Sequence, residues 1–314
     1  MDLHLIENIV CIADERSITR AAEKRFVTQS ALNQQLQKLE EELGTPLFIR
    51  SRANWQPTPA GEAYLAAARQ MLLLKKDAYA QIADYAEKSS RHLTVGLIPE
   101  RGIDMFTTIY PAFHAKFPQI QVEPVECRVT LMQHMITAGQ LDLGLATLTQ
   151  KQQDGNEYHF MADEEIVLAV PASHSLATGG SPDWRCAREK KLEVFSEESF
   201  VRIYQQSTLF SLTEDLFARA GFTPHVLFST ASNLSKYRIV SLGLGCALLP
   251  TVYAINDGSV VYFRLPSRPS WQITMCSRQG AYLGKAEQAY LELCRNYWIS
   301  AAQGADSLLA KNKA

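Results

Sequence analysis

The chain has 314 residues, of which 46% are hydrophobic and 20% charged, and its formal net charge is −2. This composition is typical of a folded globular protein and excludes a disordered one, while the length predicts two or three domains. The chain opens Met1-Asp2-Leu3-His4 without a basic segment, and no apolar run approaches the ~20 residues that span a bilayer. We therefore expect a cytoplasmic protein with no signal peptide and no membrane contact.

Positive charge is concentrated near the N-terminus. Residues 16–59 carry seven basic and four acidic side chains, a local balance of +3 that leaves −5 for the remaining residues. The excess is modest, but it lies where a domain that faces phosphate groups would need it.

Three helices are predicted before residue 45. Apolar residues recur at helical spacing from Leu3 to Ala13, a second helix is predicted over 19–25, and Thr28 is a typical N-cap for a third. Only two residues separate the second and third helices. A connection that short forces the two helices to cross steeply, which is the geometry of a helix-turn-helix.

The third predicted helix has one apolar side and one side of amides and hydroxyls. Such a polar side is often only solvated, but next to so short a turn it favours DNA binding, because amides can pair with adenine and lysine can neutralise a phosphate. The segment 46–61 then reads as a β-hairpin wing whose arginines can meet the DNA backbone or minor groove. The predicted DNA-binding residues are Thr28, Gln29, Ser30, Asn33, Gln34, Lys38, Arg50 and Arg52.

Four motifs in this region point to a family. They are SITRAA at 17–22, TQSAL at 28–32, LEEELGTPLF at 39–48 and TPAG at 58–61. In this order and spacing they strongly resemble the LysR-type transcriptional regulators, and the resemblance extends over essentially the whole chain. One departure is Asn33-Gln34, where members of the family usually have Ser-Arg. We therefore expect a contact directed less to guanine and more to adenine.

A long helix is predicted from Pro59 to about residue 88, with a near-heptad apolar stripe from Tyr64 to Tyr85. A helix this apolar cannot remain alone in water, so it either folds back on its own domain or pairs with a second copy. The resemblance favours pairing, and implies a homodimer that assembles into a homotetramer. The expected partners are an interrupted palindrome in double-stranded DNA near a promoter, a small-molecule effector and RNA polymerase.

From residue 92 onwards strands and helices alternate, which predicts parallel strands with crossover helices. The order of elements over 94–147 recurs over 200–249, which predicts two similar lobes with a cleft between them. The predicted fold is multidomain: an all-α winged helix-turn-helix (1–58), a linker and dimerisation helix (59–89), an α/β periplasmic-binding-protein-like effector domain (90–303; first lobe 90–165 and 268–303, second lobe 166–267) and a C-terminal tail (304–314).

Ligands of such sheets bind beyond the carboxyl ends of the strands, near helix N-termini. In LysR-like proteins hydroxyls near the effector occupy positions that match Thr130 and Thr208. Arg101 and Arg202 facing one cleft would favour a carboxylate or another anion. The predicted effector-binding residues are Pro99, Glu100, Arg101, Thr130, Thr147, Arg202, Tyr204, Ser207, Thr208, Thr230 and Gly245.

Three alternatives stay open for this cleft. Arg202 can equally form a surface salt bridge, and Glu100 can simply pair with Arg101. If both Glu100 and Arg101 line the cleft, an amino-acid-like zwitterion becomes a possible effector.

Other function classes are less well supported. No Gly-rich phosphate loop, GxSxG or HExxH motif occurs, so we expect neither an enzyme nor a bound cofactor or metal. A redox-responsive regulator would use Cys186 with Cys246 or Cys127, but peroxide-sensing relatives have a closely spaced pair, so buried structural thiols are favoured. A small-solute binding protein is opposed by the helix-turn-helix and by the absence of a signal peptide.

Overall fold

A computed structural model of the protein describes residues 2–51, 54–85 and 91–302. The chain divides into two compact units, residues 1–87 and 88–314. The predicted Arg52, the end of the linker helix beyond residue 85 and the tail 304–314 lie outside the described residues.

The first unit begins with three helices and a two-stranded wing and ends in a long helix. Their bounds are α1 Leu3–Glu15, α2 Ile18–Lys24, α3 Gln29–Leu43, β1 Phe48–Ile49, β2 Gln56–Pro57 and α4 Pro59–Tyr85. Each of the first three helices starts at a side chain that accepts a backbone N–H of its first turn, from Asp2, Ser17 and Thr28. Helix α3 ends at Gly44, whose φ of +67° is readily adopted only by glycine.

The core of the first unit is aliphatic. Residues such as Ile9 of α1, Leu36 of α3 and Leu65 of α4 are buried together. Gly61 lets α4 approach the wing, because a Cβ at this position would lie 2.0 Å from the carbonyl oxygen of Leu47. The first turns of α4 therefore belong to the core of this unit.

The second unit is an α/β structure. Its strands are β3 Arg91–Leu97, β4 Ile120–Glu126, β5 Leu143–Leu148, β6 Glu157–Pro171, β7 Ser199–Ile203, β8 His225–Thr230, β9 Ala247–Pro250, β10 Val260–Arg264 and β11 Ser270–Ser277. Its α-helices are α5 Arg101–Lys116, α6 Val129–Thr137, α7 Thr208–Arg219, α8 Asn233–Ser241 and α9 Lys285–Ala302. Single-turn 3-10 helices lie at Gln150–Gln152, Ser175–Ala177, Trp184–Cys186, Leu192–Phe195 and Thr251–Tyr253.

A seven-stranded sheet runs in the order β10-β6-β11-β5-β3-β4, and β9 also pairs with β6. Strands β3, β4 and β5 are parallel to one another, whereas β11 is antiparallel to β5 and β6. Strands β7 and β8 form a separate parallel pair, and a bridge between Phe200 and Cys246 connects β7 to the chain leading into β9. The order β11-β5-β3-β4 thus recurs as β6-β9-β7-β8, which agrees with the predicted repeat.

The two lobes share strand β6, which pairs with β11 through its first half and with β9 and β10 through its second half. One lobe has a buried apolar core drawn from residues 93–161 and 273–298, and the other has its own apolar cores, drawn from residues 166–271. This architecture is the two-lobed α/β fold expected from the sequence.

Candidate functional site

Helix α3 presents its polar side to solvent. Gln29, Ser30, Gln34 and Lys38 are exposed and Asn33 is half-buried, while Leu32, Leu36 and Leu39 on the opposite side are buried. Two polar groups have other tasks: the Thr28 hydroxyl caps the helix by accepting from Ala31 N, and Gln29 Oε1 accepts from the Thr19 hydroxyl at 3.3 Å. The remaining amides on this side of α3 are available to contact a molecule that accommodates the helix in a groove.

The wing is held by Glu40 of α3. Its carboxylate accepts from Leu47 N at 2.8 Å and also pairs with Arg50, whose guanidinium lies over the ring of Trp55. Arg50 therefore has a fixed position, but part of its charge is already compensated within the chain. Its contact with DNA stays a prediction.

The second half of α4 exposes a stripe of large apolar side chains. Leu74 is 69% exposed, Ile82 63% and Tyr85 81%, and Met71 and Ala78 extend the same helical spacing. Only the first turns of the helix, around Leu65 and Ala68, are buried in the unit's own core. Exposed apolar area of this extent on one helix is typical of a surface that binds another molecule.

In the second unit, the carboxyl ends of β3 and β4 lie side by side, and so do those of β7 and β8. These two edges face each other across the cleft, since hydrogen bonds connect them. Arg128 Nη2 donates to Tyr204 OH at 2.8 Å, the Thr208 hydroxyl to Thr147 O at 2.8 Å, Gln152 Nε2 to Thr208 O at 3.1 Å, and the Ser232 hydroxyl to Glu100 Oε1 at 2.6 Å.

Helix N-termini also converge here. Ser207 caps α7 and Ser232 caps α8, while α5 and α6 begin directly after Glu100 and Arg128. The partial positive charge of helix N-termini favours an anionic ligand.

The predicted role of Arg101 in the cleft is wrong. Arg101 is only 2% exposed, its Nη1 donates to Glu164 Oε2 at 2.6 Å, and its guanidinium lies over the rings of Tyr253, Trp271 and Trp298. Burial lowers the pKa of this guanidinium, but Glu164 more than offsets the effect, so the pKa is raised above its usual range. The group is a permanently charged part of the core.

The pairing of Glu100 with Arg101 is wrong for the same reason. Arg101 is paired with Glu164, and Glu100 instead contacts Ser232 of the other lobe. A zwitterion held between Glu100 and Arg101 is therefore excluded in this conformation. Arg202 forms an ion pair with Glu214 of its own lobe, and its contact with an effector stays a prediction.

Gly245 does not belong to the cleft. It precedes β9, and a Cβ on it would lie 2.7 Å from the carbonyl oxygen of Ser199 at the start of β7. It thus lies at the amino-terminal edge of the sheet, opposite the carboxyl ends that form the cleft. The other predicted residues are at the cleft edges: Pro99 and Thr130 are exposed, Tyr204, Ser207, Thr208 and Thr230 are half-buried, and Thr147 is buried at the end of β5.

The sequence prediction missed Arg128. This exposed residue immediately precedes α6, its guanidinium stacks on the Tyr204 ring at 4.9 Å, and no acidic group within the described ranges pairs with it. A signal was available in the sequence, because Arg128 lies two residues before Thr130, which was predicted to bind the effector. It supplies the uncompensated positive charge that was expected from Arg101.

A groove of about 450 Å³ lies beside the cleft and is lined by both lobes. Lys151, Asp215 and Arg219 bring charges to its wall, and Trp271 also lines it. None of the predicted site residues lines it.

The cysteines are not arranged as a redox pair within the described residues, where all six are free thiols. Cys127 and Cys246 are buried, and burial raises the pKa of both thiols, that of Cys246 to about 12. Cys186 is exposed, so the expectation of uniformly buried thiols is wrong at this position. The reactive thiolate is thus disfavoured at the two buried cysteines.

The described residues contain neither a candidate membrane-spanning helix nor a candidate metal site. No helix there combines the length and the hydropathy that crossing a bilayer requires. No group of three or more histidine, cysteine, aspartate or glutamate residues is arranged to hold a metal ion in those ranges.

Comparison with known proteins adds relatives over nearly the full length. The chain is 27% identical over 308 residues to the uncharacterized HTH-type transcriptional regulator YcgK of Bacillus subtilis, with 94% of each chain covered. It is 27% identical over 287 residues to the Hca operon transcriptional activator HcaR of Escherichia coli, with 89% of this chain and 93% of the relative covered. A full-length OxyR variant from Pseudomonas aeruginosa has a similar fold, with a TM-score of 0.68, 23% identity and coverage of 94% of this chain and 98% of that one.

Family models match both units. Residues 3–62 match the bacterial regulatory helix-turn-helix protein of the lysR family, and residues 86–298 match the LysR substrate binding domain. The second match alone covers more than half of the chain. The protein therefore belongs to the LysR family of DNA-binding transcription regulators with an effector-binding domain.

Proposed function

We propose that the chain reads DNA through Asn33 and Gln34 of α3 and that a small anion between its two lobes controls this binding. The observation that carries the first part is the exposed amide side of α3, whose opposite side is fixed in an aliphatic core. A rigid helix can present side chains to base edges without a further ordering cost. Lys38 and Arg50 supply phosphate contacts.

The observation that carries the second part is Arg128, exposed at the cleft without a described acidic partner. An anion can take the place of Tyr204 OH on its guanidinium and accept bidentate hydrogen bonds. The hydroxyls of Thr130, Ser207 and Thr208 are near the same helix N-termini. These features support a carboxylate-bearing metabolite as the effector.

Control by this effector needs a conformational change. Arg128–Tyr204 and Thr147–Thr208 join the lobes directly, so an anion that replaces the first contact changes how the lobes close. The shift requires that the anion bind one arrangement more tightly than the other.

The apolar stripe of α4 supports a homodimer, and a homotetramer would present two such pairs to an interrupted palindrome. Binding of the homotetramer to both halves of the palindrome would bend the DNA, and the bend would affect the access of RNA polymerase to the promoter.

Gel retardation and footprinting on the DNA upstream of the protein's own gene test the proposed DNA reading by α3. Wild-type protein should retain a fragment at low salt, with an affinity that falls steeply as salt rises. The Gln34→Arg variant should shift base preference from adenine to guanine in base-substituted versions of the protected site. An unchanged preference would reject the assignment of Gln34, and failure to retain any fragment would reject DNA reading by α3.

Calorimetry with a panel of carboxylates and amino acids tests the effector part. We expect one or more carboxylates to bind the wild type and the Arg128→Met variant to bind at least about tenfold more weakly. The Arg185→Met variant, which removes an exposed arginine away from the cleft, is the matched control. Equal heats from Arg128→Met and wild type would contradict the proposed site.

A further inference from the structure

Phe26 lies in the turn between α2 and α3 and is 95% exposed, the highest value for a large apolar side chain among the described residues. In those ranges its ring stacks on no other aromatic ring and joins no apolar cluster. Solvent is an unfavourable environment for a phenylalanine ring. The internal packing of the unit therefore does not explain this residue.

The backbone at Phe26 is also unfavourable. Its φ is +55°, in the left-handed region that favours glycine or asparagine. Val27 N donates to Ala22 O at 3.0 Å, and Phe26 N donates to Glu23 O at 3.2 Å. This is the pattern of a helix that ends in a left-handed residue, a position that glycine or asparagine usually occupies. Phenylalanine here costs stability in both its backbone and its side chain.

The position of Phe26 indicates a function for which this cost is tolerated. Phe26 is two residues from Thr28, the cap of α3, and α3 then exposes Gln29 and Ser30 in its first turn. In a helix-turn-helix the N-terminal end of the second helix is the part that enters the major groove. The ring therefore borders the surface that faces DNA and is continuous with it.

We propose that Phe26 is a base-reading residue whose ring packs against the C5-methyl group of a thymine at the border of the site read by α3. The thymine methyl is the one apolar group that base edges present in the major groove, and phenylalanine is among the side chains that contact it. This inference rests on the proposed DNA reading by α3. Strained and exposed residues are commonly found at functional sites, where function and stability oppose each other.

The test compares the stability and the DNA affinity of the full-length Phe26→Asn variant. Asparagine tolerates the left-handed backbone, so we expect the midpoint of thermal unfolding to rise by a few degrees. Affinity for the fragment that wild type retains should fall about 5- to 10-fold, as loss of one apolar contact implies. Because no phosphate contact is removed, the slope of log affinity against log salt should not change.

Three further variants define the contact. Phe26→Gly should lose affinity as Phe26→Asn does, which excludes a new hydrogen bond from asparagine as the cause, and Phe26→Tyr should keep most of the affinity. Leu244→Asn, which removes another exposed apolar side chain in the second unit, should leave DNA affinity unchanged.

Uracil substituted for single thymines in the protected fragment identifies the base. Replacement of one particular thymine should weaken the DNA affinity of wild type by the same factor as the Phe26→Asn substitution does. The same replacement should leave the affinity of the Phe26→Asn variant unchanged. The inference would be overturned if Phe26→Asn had a higher unfolding midpoint but bound every fragment with the affinity of wild type. It would also be overturned if the variant lost self-association and kept its DNA affinity. Either result with a wild type that still retains DNA contradicts only the role of Phe26, whereas a wild type that retains none contradicts the proposed function.

Discussion

The two units place their charged side chains differently. In the first unit the ion pairs, such as Lys24–Glu15 and Arg69–Asp14, lie at the surface of an aliphatic core. In the second unit Arg101–Glu164 is inside the protein, with side chains 2% and 5% exposed, and Lys236 is 1% exposed. The first unit keeps its charge accessible to solvent and ligands, while the second uses charge to fix internal geometry.

The buried ion pair Arg101–Glu164 lies where the two lobes join. Glu164 precedes the point at which β6 passes from the first lobe to the second. Its carboxylate accepts from Arg101, from Trp271 Nε1 at 2.7 Å and from Val252 N of the second lobe at 3.1 Å. A buried ion pair adds little net stability, but it requires a specific arrangement of its partners. In the second unit buried charge therefore fixes the position of neighbouring groups, whereas the first unit depends on apolar packing. Four measurements test this difference.

The largest effect is expected from Glu164→Ala. Removal of the carboxylate leaves the Arg101 guanidinium buried without its counter-charge, so the free energy of unfolding should fall by about 3–5 kcal/mol. Urea unfolding measures the change. The control Arg268→Ala removes a half-exposed ion pair with Glu165 near the same point and should cost about 1 kcal/mol or less. Equal losses in both variants would contradict the distinction between buried and surface charge.

Gly61→Ala tests whether packing dominates in the first unit. The added methyl group would meet the backbone carbonyl of Leu47, which cannot move without displacing the wing. We expect the unfolding free energy to fall by about 3 kcal/mol, together with weaker DNA retention. Gly155→Ala is the matched control, because its Cβ would meet no heavy atom within 4 Å. A fully stable Gly61→Ala protein would show that α4 is not closely packed on the wing.

Lys236 should make the second unit more stable in alkaline solution. Burial lowers the pKa of its amine from 10.5 to about 7, and the carboxylate of Glu100 only partly opposes this. Between these two values Lys236 holds its proton in the unfolded chain but not in the folded one, so its contribution to stability rises with pH, and below about pH 7 the cost of the buried charge is fully present. Wild type should therefore gain about 2 kcal/mol relative to Lys236→Met between pH 7 and pH 9, a difference that cancels the opposite effect of the buried thiols, whose pKa values are raised in both proteins.

Two variants assign this rise to Lys236. Urea unfolding at both pH values should show that Lys236→Met lacks this gain, while the exposed Lys191→Met should change with pH as wild type does. A rise that persists in Lys236→Met would mean that another group titrates.

The smallest effect is expected from Glu7→Gln in the first unit. Hydrogen bonds from Lys75 and Arg25 lower the pKa of this carboxyl, so its contribution is present above the usual pKa of a glutamate and is lost as pH falls. At neutral pH the variant should lose about 1 kcal/mol or less, because all three side chains are partly solvated. The loss should disappear in 1 M salt, where screening acts over about 3 Å. A salt-independent loss would mean that the first unit also depends on buried charge.

How well the sequence predicted each feature follows from the separation of the interacting residues. The cap at Thr28 and the helical stripe of α4 are local, and each was predicted within a residue or a turn of its position. The partners of the buried arginine were missed, because Arg101 and Glu164 are 63 residues apart and their contact depends on β6. Arg128 and Tyr204 are 76 residues apart and are brought together only by the lobes. Gly245 was misplaced because the turn before a strand was assigned to the wrong edge of the sheet.

Strand β6 has a consequence for how the second unit can be divided. It is a single stretch, Glu157–Pro171, that supplies the backbone partners of β11 at one end and of β9 and β10 at the other. Cutting the chain near residue 165 would separate the first half of β6 from its partner β11, so each fragment would have an open sheet edge. Such edges promote aggregation. The two lobes should accordingly melt in one cooperative transition, and neither should be obtainable as a monomeric, well-folded fragment.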